Sequence, residues 1–291
     1  MLLGALEAGG TKMVCALGNE NGEILEQISI PTKTPEETIP EILKYFKDKK
    51  IEALGIGCFG PVDLDESSPT YGYITSTPKL AWRNFDMVGA MKKGLGVPVG
   101  FDTDVNGSLL GEVTWGSAKG LTDAAYLTIG TGIGAGIMTN GKLLHGMMHP
   151  EAGHMPLAVH EDDHYAGKCP YHGTCFEGLA AGPAIEERWG AKGAALADKP
   201  EVWELESYYI AQALTTLIMV LSPQRIILGG GVMHQKQLFP MIREKVLGMV
   251  NGYVQTKLLE DMDQYIVPAG LNDDQGIMGC IKLAMESLEK E

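Results

Sequence analysis

Short apolar runs broken by glycine open the chain: LLGALE (residues 2–7), the turn AGGTK (8–12), then MVCAL (13–17). This pattern predicts strand, turn, strand. In PEETIPEILKYFKDKK (35–50) the apolar residues Ile39, Ile42, Leu43 and Phe46 recur at helical spacing, which predicts a helix. IEALGIG (51–57) predicts a strand running into the loop CFGPVD (58–63). Residues 63–85 are rich in Ser, Thr, Pro and Gly and predict an irregular, exposed connection. FDMVGAMKKGLG (85–96) predicts a helix, VPVGFDTD (97–104) a strand, and VNGSLLGEVTW (105–115) another helix.

The second half repeats the opening theme. AAYLTIGTGIGAGIM (124–138) again reads as strand, glycine turn, strand. A long apolar helix (Ser207–Leu221), the strand RIILGGG (225–231), a helix near 238–250 and a C-terminal helix follow. Strands alternating with helices predict an α/β protein, and the internal echo predicts two related lobes. The expected division is an N-terminal lobe of residues 1–105, completed by the C-terminal helix 273–289, and a second lobe of 106–272 with an insert at 151–178.

Composition adds limits. A chain of 291 residues, 45% hydrophobic and 21% charged, is an ordinary globular composition and long enough for two lobes. No segment approaches the roughly 18 consecutive apolar residues of a membrane span. The opening MLLGALEAGGTK lacks a basic start and turns glycine-rich at once, so a cytoplasmic location is expected. There Cys15, Cys58 and Cys280, each in apolar sequence, are expected to be buried free thiols, and the methionines of MMHP (147–150) and of the later helices to be core packing. Lys plus Arg is 23 against 37 for Asp plus Glu, a formal charge of −14. That balance argues against nucleic acid or an anionic membrane as partner, while leaving room for a nucleotide neutralised locally by glycine loops and Mg²⁺.

Three glycine turns are candidates for phosphate or nucleotide contact. Free backbone N–H groups can wrap a phosphate, and small residues permit close approach. AGGTK offers Gly9, Gly10, Thr11 and Lys12; GTGIGAG (130–136) offers Gly130, Thr131 and Gly132; GGGVM (229–233) offers Gly229, Gly230, Gly231 and Val232. An ordinary hairpin is the alternative for each of the first two, and their recurrence in matching contexts weakens it. AGGTK lacks the Walker spacing, and GTGIGAG runs on into apolar GIM without opening a helix, which separates it from a dinucleotide fingerprint.

Two further places carry chemistry. Asp104, in DTDVN, stands where a strand meets a helix; from spacing alone a helix N-cap is the first reading. The stretch Glu151–Gly178 holds four of the seven histidines, with Cys169, His172 and Cys175 in the pattern C-x₂-H-x₂-C and His154 upstream. Two thiolates and two imidazoles would close a tetrahedral structural zinc shell, His160 and His164 being competing ligands.

With EAGGTK, GPVD, TPKLAWRNF, DTDVN, GTGIGAG, EAGH, the cysteine-histidine cluster and GGG all present, the chain resembles the ROK family of sugar kinases and repressors, and within it the fructokinases most closely. The resemblance implies the two-lobed actin/hexokinase-like ATPase fold, with duplicated ribonuclease H-like domains. It also implies ATP-dependent phosphorylation of a hexose, D-fructose first, on the 6-hydroxyl. It makes Asp104 the catalytic base and assigns Glu151, His154 and Glu177 to the sugar, with Thr103, Gly60 and Asn84 beside it. Trp82 is either a sugar-side residue or simply packed. The zinc goes to His154, Cys169, His172 and Cys175. Pro183, in AAGPAI, falls at a nucleotide-contact position or is an ordinary helix-start proline. A homodimer is expected from the relatives.

The sequence departs from the family pattern at Glu7, where many relatives carry Asp, and which would face Mg²⁺ through water. It departs again at Thr103, where related glucokinases carry Asn. Glucose, mannose or an N-acetylated hexosamine are therefore alternative substrates. Two other classes stand beside the kinase: a sugar-responsive regulator, disfavoured by the acidic charge and by a first strand that begins at Leu2, and a zinc hydrolase using Glu151 as base, which would need an open metal position.

Overall fold

The computed structural model describes residues 1–290, and its chain divides into two compact units. The first comprises Met1–Gly120, Leu143–Pro150 and the C-terminal segment from Gly270; the second comprises Leu121–Lys142 and Glu151–Ala269. The boundary thus falls after Gly120 rather than at 105, because the helix Asp104–Thr114 packs within the first unit. No helix among the described residues is long and apolar enough to cross a membrane.

The sheet of the first unit is built from Leu3–Ala8, Lys12–Gly18, Ile24–Pro31, Ala53–Cys58 and Val99–Thr103, whose order in space is third, second, first, fourth, fifth. The first three are antiparallel, and the last two run parallel to Leu3–Ala8. Strands of the second unit repeat that order: the short edge strand Lys142–Leu143, then Ile133–Thr139, Ala124–Ile129, Arg225–Gly229 and Ile266–Pro268. Here too a hairpin of antiparallel strands is extended by parallel ones. The echo read in the sequence is a duplicated topology.

Alternation along Leu3–Ala8 assigns its side chains to opposite faces. Leu6 and Ala8 join Met13, Ile42, Phe46, Ile56 and Phe101 in one core. Leu3 and Ala5 join Ile277, Cys280, Ile281 and Ala284 of the C-terminal helix Gln275–Glu289 in another. By the same two-residue period Glu7 lies on the C-terminal helix's face. That helix sits very close: a Cβ at Gly55 would collide with the carbonyl oxygen of Cys280, and one at Gly279 with that of Gly107. Glycine at these positions is a condition of the packing.

Several elements differ from expectation. The edge strand Ile24–Pro31 carries no clear sequence signal, since polar and apolar residues alike are exposed from Leu25 to Ser29 and only Ile30 is buried. Residues 63–85 are largely irregular, yet Ile74, Thr77 and Trp82 are buried, so this connection is not simply exposed. Trp82 is packed, edge-on to Phe59 and Phe85, with its indole N–H donating to the Lys33 carbonyl at 2.6 Å. The long helix begins at Pro200, seven residues before Ser207. Met147 and Met148 are 98% and 38% exposed, so MMHP is a surface turn and not core; Met219, on the long helix, is exposed as well. Cys15, Cys58 and Cys280 are buried free thiols, with burial pushing Cys15 up to about 12.

Candidate active site

In open α/β sheets ligands gather at the carboxyl ends of parallel strands. The register of the first unit aligns three such ends, with Ala8 opposite Cys58 and Cys58 opposite Thr103. The turns that follow hold Gly9–Lys12, Gly60 and Asp104, so these three sequence motifs share one sheet edge.

The AGGTK turn is a tight hairpin. Gly9 donates its N–H to the Lys12 carbonyl at 3.0 Å, and Thr32 Oγ1 donates to the Gly9 carbonyl at 2.7 Å. A Cβ at Gly10 would touch the Lys79 side chain, a cation the sequence reading had not connected with this turn. Thr11 and Lys12 are exposed. Glu7 lies against Gly276 in the first turn of the C-terminal helix. Burial raises its pKa, Lys12 opposes and Asp274 adds to the rise. Two neighbouring carboxylates are a donor set that a hard cation takes.

Asp104 begins its helix but does not cap it: Thr103 is the N-cap, its Oγ1 accepting from the Asn106 N–H at 3.1 Å. Asp104 Oδ1 accepts from the Val105 N–H at 2.9 Å. Thr103 is buried, and its oxygen spends one of its two lone pairs on this cap, leaving its hydroxyl proton available to a ligand. Gly60 precedes a cis peptide to Pro61, and exposed Asn84 adopts the left-handed backbone region that asparagine tolerates.

The reading of the sequence missed the polar network around this turn. Asp102, 3% exposed, accepts from the Thr103 N–H at 2.7 Å and from Asn106 Nδ2 at 2.6 Å, while its other oxygen meets His145 Nε2 at 2.9 Å. The hydrogen bond to Asp102 raises the His145 pKa, against burial and Lys290. Four residues on, His149 Nε2 accepts from the Val62 N–H at 3.1 Å. The only sequence signal was the pair of histidines bracketing the exposed methionines just before EAGH.

In the second unit, the GTGIGAG and GGGVM turns follow adjacent parallel strands, with Gly229 opposite Thr128. Gly182 donates to the Gly130 carbonyl at 2.7 Å, and Gly130 to that of Gly132 at 2.9 Å. A Cβ at Gly130 would come near the Gly231 nitrogen, and Gly230, at φ 87°, is wedged against the backbone of Ile129. Thr131 is exposed in the turn, Val232 is buried behind the third, and Pro183 occupies the first turn of the helix Gly182–Trp189. The predicted nucleotide residues of this unit therefore form one backbone-lined patch.

Beside it, Glu177 Oε2 accepts from the Ile133 N–H at 3.0 Å. Burial raises the Glu151 pKa, and the charge of Glu177 raises it further. The short turn Ala152–His154 lies on the strand Ile133–Thr139, where a Cβ at Gly153 would strike the Ile133 carbonyl. His154 Nδ1 is 3.7 Å from Cys169 Sγ and 3.5 Å from Cys175 Sγ, and His172 Nδ1 is 3.6 Å from Cys169 Sγ. All four ligand atoms lie within 4.8 Å of one another. Such edges fit a tetrahedral shell with Zn–S of about 2.3 Å and Zn–N of about 2.0–2.1 Å. His160 stands apart, stacked edge-on against Tyr208 with its Nδ1 accepting from the Asp162 N–H, and neither it nor His164 joins the group.

Residues 3–287 match the ROK family. The chain belongs to that family. A fructokinase of Pediococcus pentosaceus is 47% identical over 289 residues, covering 99% of each chain. A fructokinase of Streptococcus mutans is 45% identical, covering 97% of each. The ROK hexokinase of Thermus thermophilus superposes with a TM-score of 0.80 over the full length of both chains at 23% identity, a likeness of fold.

Proposed function

We propose that the protein is an ATP-dependent fructokinase, transferring the γ-phosphoryl group of ATP to the 6-hydroxyl of D-fructose. The observation that carries this reading is full-length kinship to fructokinases at 45–47% identity. The turns at the carboxyl strand ends of both units supply residue types that phosphoryl transfer needs: backbone donors for phosphate, and a carboxylate for the hydroxyl.

Asp104 is the base. A carboxylate is a weak base beside the alkoxide it would form, so it chiefly orients the 6-hydroxyl and takes its proton late. Glu151 and Glu177 accept hydrogen bonds from sugar hydroxyls. His154 contributes Nε2, because its Nδ1 faces the cysteine sulfurs. Thr103 donates its hydroxyl proton, and Gly60 and Asn84 line the sugar side. Gly9, Gly10, Thr11 and Lys12 hold phosphate, as do Gly130, Thr131 and Gly132, while Pro183 and Gly229–Val232 meet the sugar and base of the nucleotide.

Glu7, with Asp274 beside it, is suited to Mg²⁺, which when bound neutralises the transferred phosphate's charge. His154, Cys169, His172 and Cys175 are suited to a structural zinc, a closed shell that would fix the His154 ring. This arrangement favours a clamp over a hydrolase, since no fourth position remains for water. The reading includes a cytoplasmic homodimer, whose mass in solution light scattering would read.

The test is ADP release from Mg-ATP with a panel of hexoses at matched concentration. Turnover with fructose well above glucose and mannose is expected. Preference for another hexose would redirect substrate identity to Thr103, and absence of turnover with every sugar would sink the kinase reading.

A further inference from the structure

We propose that His145 is a positioning residue for phosphoryl transfer, acting through Asp102 on the turn that presents Asp104. The inference rests on the kinase reading and deepens it.

The Asp102 carboxylate is the hub. It takes the N–H of Thr103, immediately before Asp104, and the side-chain amide of Asn106, two residues after it. Thr103 and Asn106 are further joined by the cap hydrogen bond. The backbone on both sides of Asp104 is thus referred to one buried carboxylate. A carboxylate whose two oxygens accept from three donors has its direction fixed by all of them. Two donors belong to the turn itself; His145 alone comes from a distant segment, 43 residues along the chain.

The tautomer follows from the chemistry. A carboxylate only accepts, so the 2.9 Å contact requires the proton on Nε2. Asn106 Nδ2, at 3.5 Å from the same nitrogen, is then a neighbour and not a donor to it. The anchoring of His145 is also explained. Its segment, Leu143–Pro150, is held at its other end by His149, which accepts from the Val62 N–H beside the Gly60–Pro61 turn. Burial lowers the His149 pKa, in keeping with a neutral ring that accepts through Nε2. One segment therefore braces two strand-end turns of the first unit through two histidines four residues apart. His145 itself is half exposed, so its replacement leaves the hydrophobic cores intact.

A purely structural role would alter stability alone. A positioning role would lower kcat while leaving nucleotide KM in place, because Asp104 would remain but be misaligned. The experiment measures kcat, both KM values and the melting temperature for His145→Ala, His145→Asn and His145→Gln in the full chain. A glutamine places its amide nitrogen near the position of Nε2, and an asparagine stops short of it. Expected is a kcat loss of about tenfold for Ala and Asn with the ATP KM within about twofold, and recovery of most of kcat in Gln.

Equal impairment of Ala and Gln, or a kcat for Ala within about twofold of the parent, overturns the inference while the kinase reading stands. A parent protein with no turnover on any hexose removes the kinase reading, and this inference falls with it. The Gln-to-Asn comparison decides the matter even where the alanine variant folds poorly.

Discussion

Glu177 holds the backbone of Ile133: its carboxylate accepts that N–H at 3.0 Å, and a Cβ at Gly132 would touch the same oxygen. A residue assigned to the sugar is therefore fastened to the glycine turn assigned to the nucleotide.

This link has a kinetic consequence. Glu177→Ala removes an acceptor from the sugar and frees the turn, so the KM values for fructose and ATP should both rise, by about ten- to a hundredfold for a charged hydrogen bond worth roughly 1.5–3 kcal/mol. Glu177→Gln, which keeps one acceptor oxygen, should lose less. A change confined to the fructose KM would show that the Ile133 contact carries nothing.

Asp104→Asn should leave the helix start intact, because Thr103 and not Asp104 is the cap. The amide cannot take the hydroxyl proton, so kcat should fall about 10²–10⁴-fold with fructose affinity little changed by calorimetry. Near-normal turnover would reject Asp104 as the base.

How much of this was legible follows from the distances along the chain. Strand–turn–strand in LLGALE-AGGTK-MVCAL and its echo at 124–138 are written as short apolar runs on either side of a glycine turn, and both hairpins form. The histidine–cysteine cluster was legible because Cys169, His172 and Cys175 lie within seven residues of one another, and the fold brings His154 to them. Asp102 with His145 was not, since a pairing across 43 residues leaves no local period. The helix cap at 103 shifted by one residue from the first reading, because Thr and Asp are both good caps and only the backbone decides between them. Ile24–Pro31 escaped because its neighbour in the sheet, not its own pattern, makes it a strand.

Gly279 and Gly248 should respond oppositely to alanine. A Cβ at Gly279 would collide with the Gly107 carbonyl, and overpacking there should cost about 1–3 kcal/mol or more in a denaturant melt. Gly248 lies in the helix Leu238–Val250 with nothing near its Cβ position, so alanine should stabilise by up to about 1 kcal/mol. A Gly279→Ala variant as stable as the parent would argue against the close approach of the helices Asp104–Thr114 and Gln275–Glu289.

Cys175 serves twice, as a cluster member and as the sulfur that accepts the Gly178 N–H at 3.4 Å at the start of the helix Phe176–Ala180. Serine supplies an oxygen to cap the helix in place of the sulfur but is a poor zinc ligand. Cys175→Ser should therefore purify with well under one zinc per chain by elemental analysis, and a raised fructose KM should accompany the loss. One zinc per chain in the variant would remove Cys175 from the shell.

Glu206 should set a pH dependence of stability. It is fully buried on the helix Pro200–Leu221, and neither carboxyl oxygen has a hydrogen-bond partner among the described residues; burial drives its pKa well up, only partly offset by Arg188. The folded chain thus holds this proton to higher pH than the unfolded chain does. Stability contributed by Glu206 is fully present below its unfolded pKa, about 4.3, and is lost as pH rises towards and through the folded value. Glu206→Gln fills the same space without a proton to lose. Melts from pH 5 to pH 8 should show the parent losing stability relative to the glutamine variant as pH rises. Parallel curves would mean that Arg188 keeps Glu206 ionised throughout.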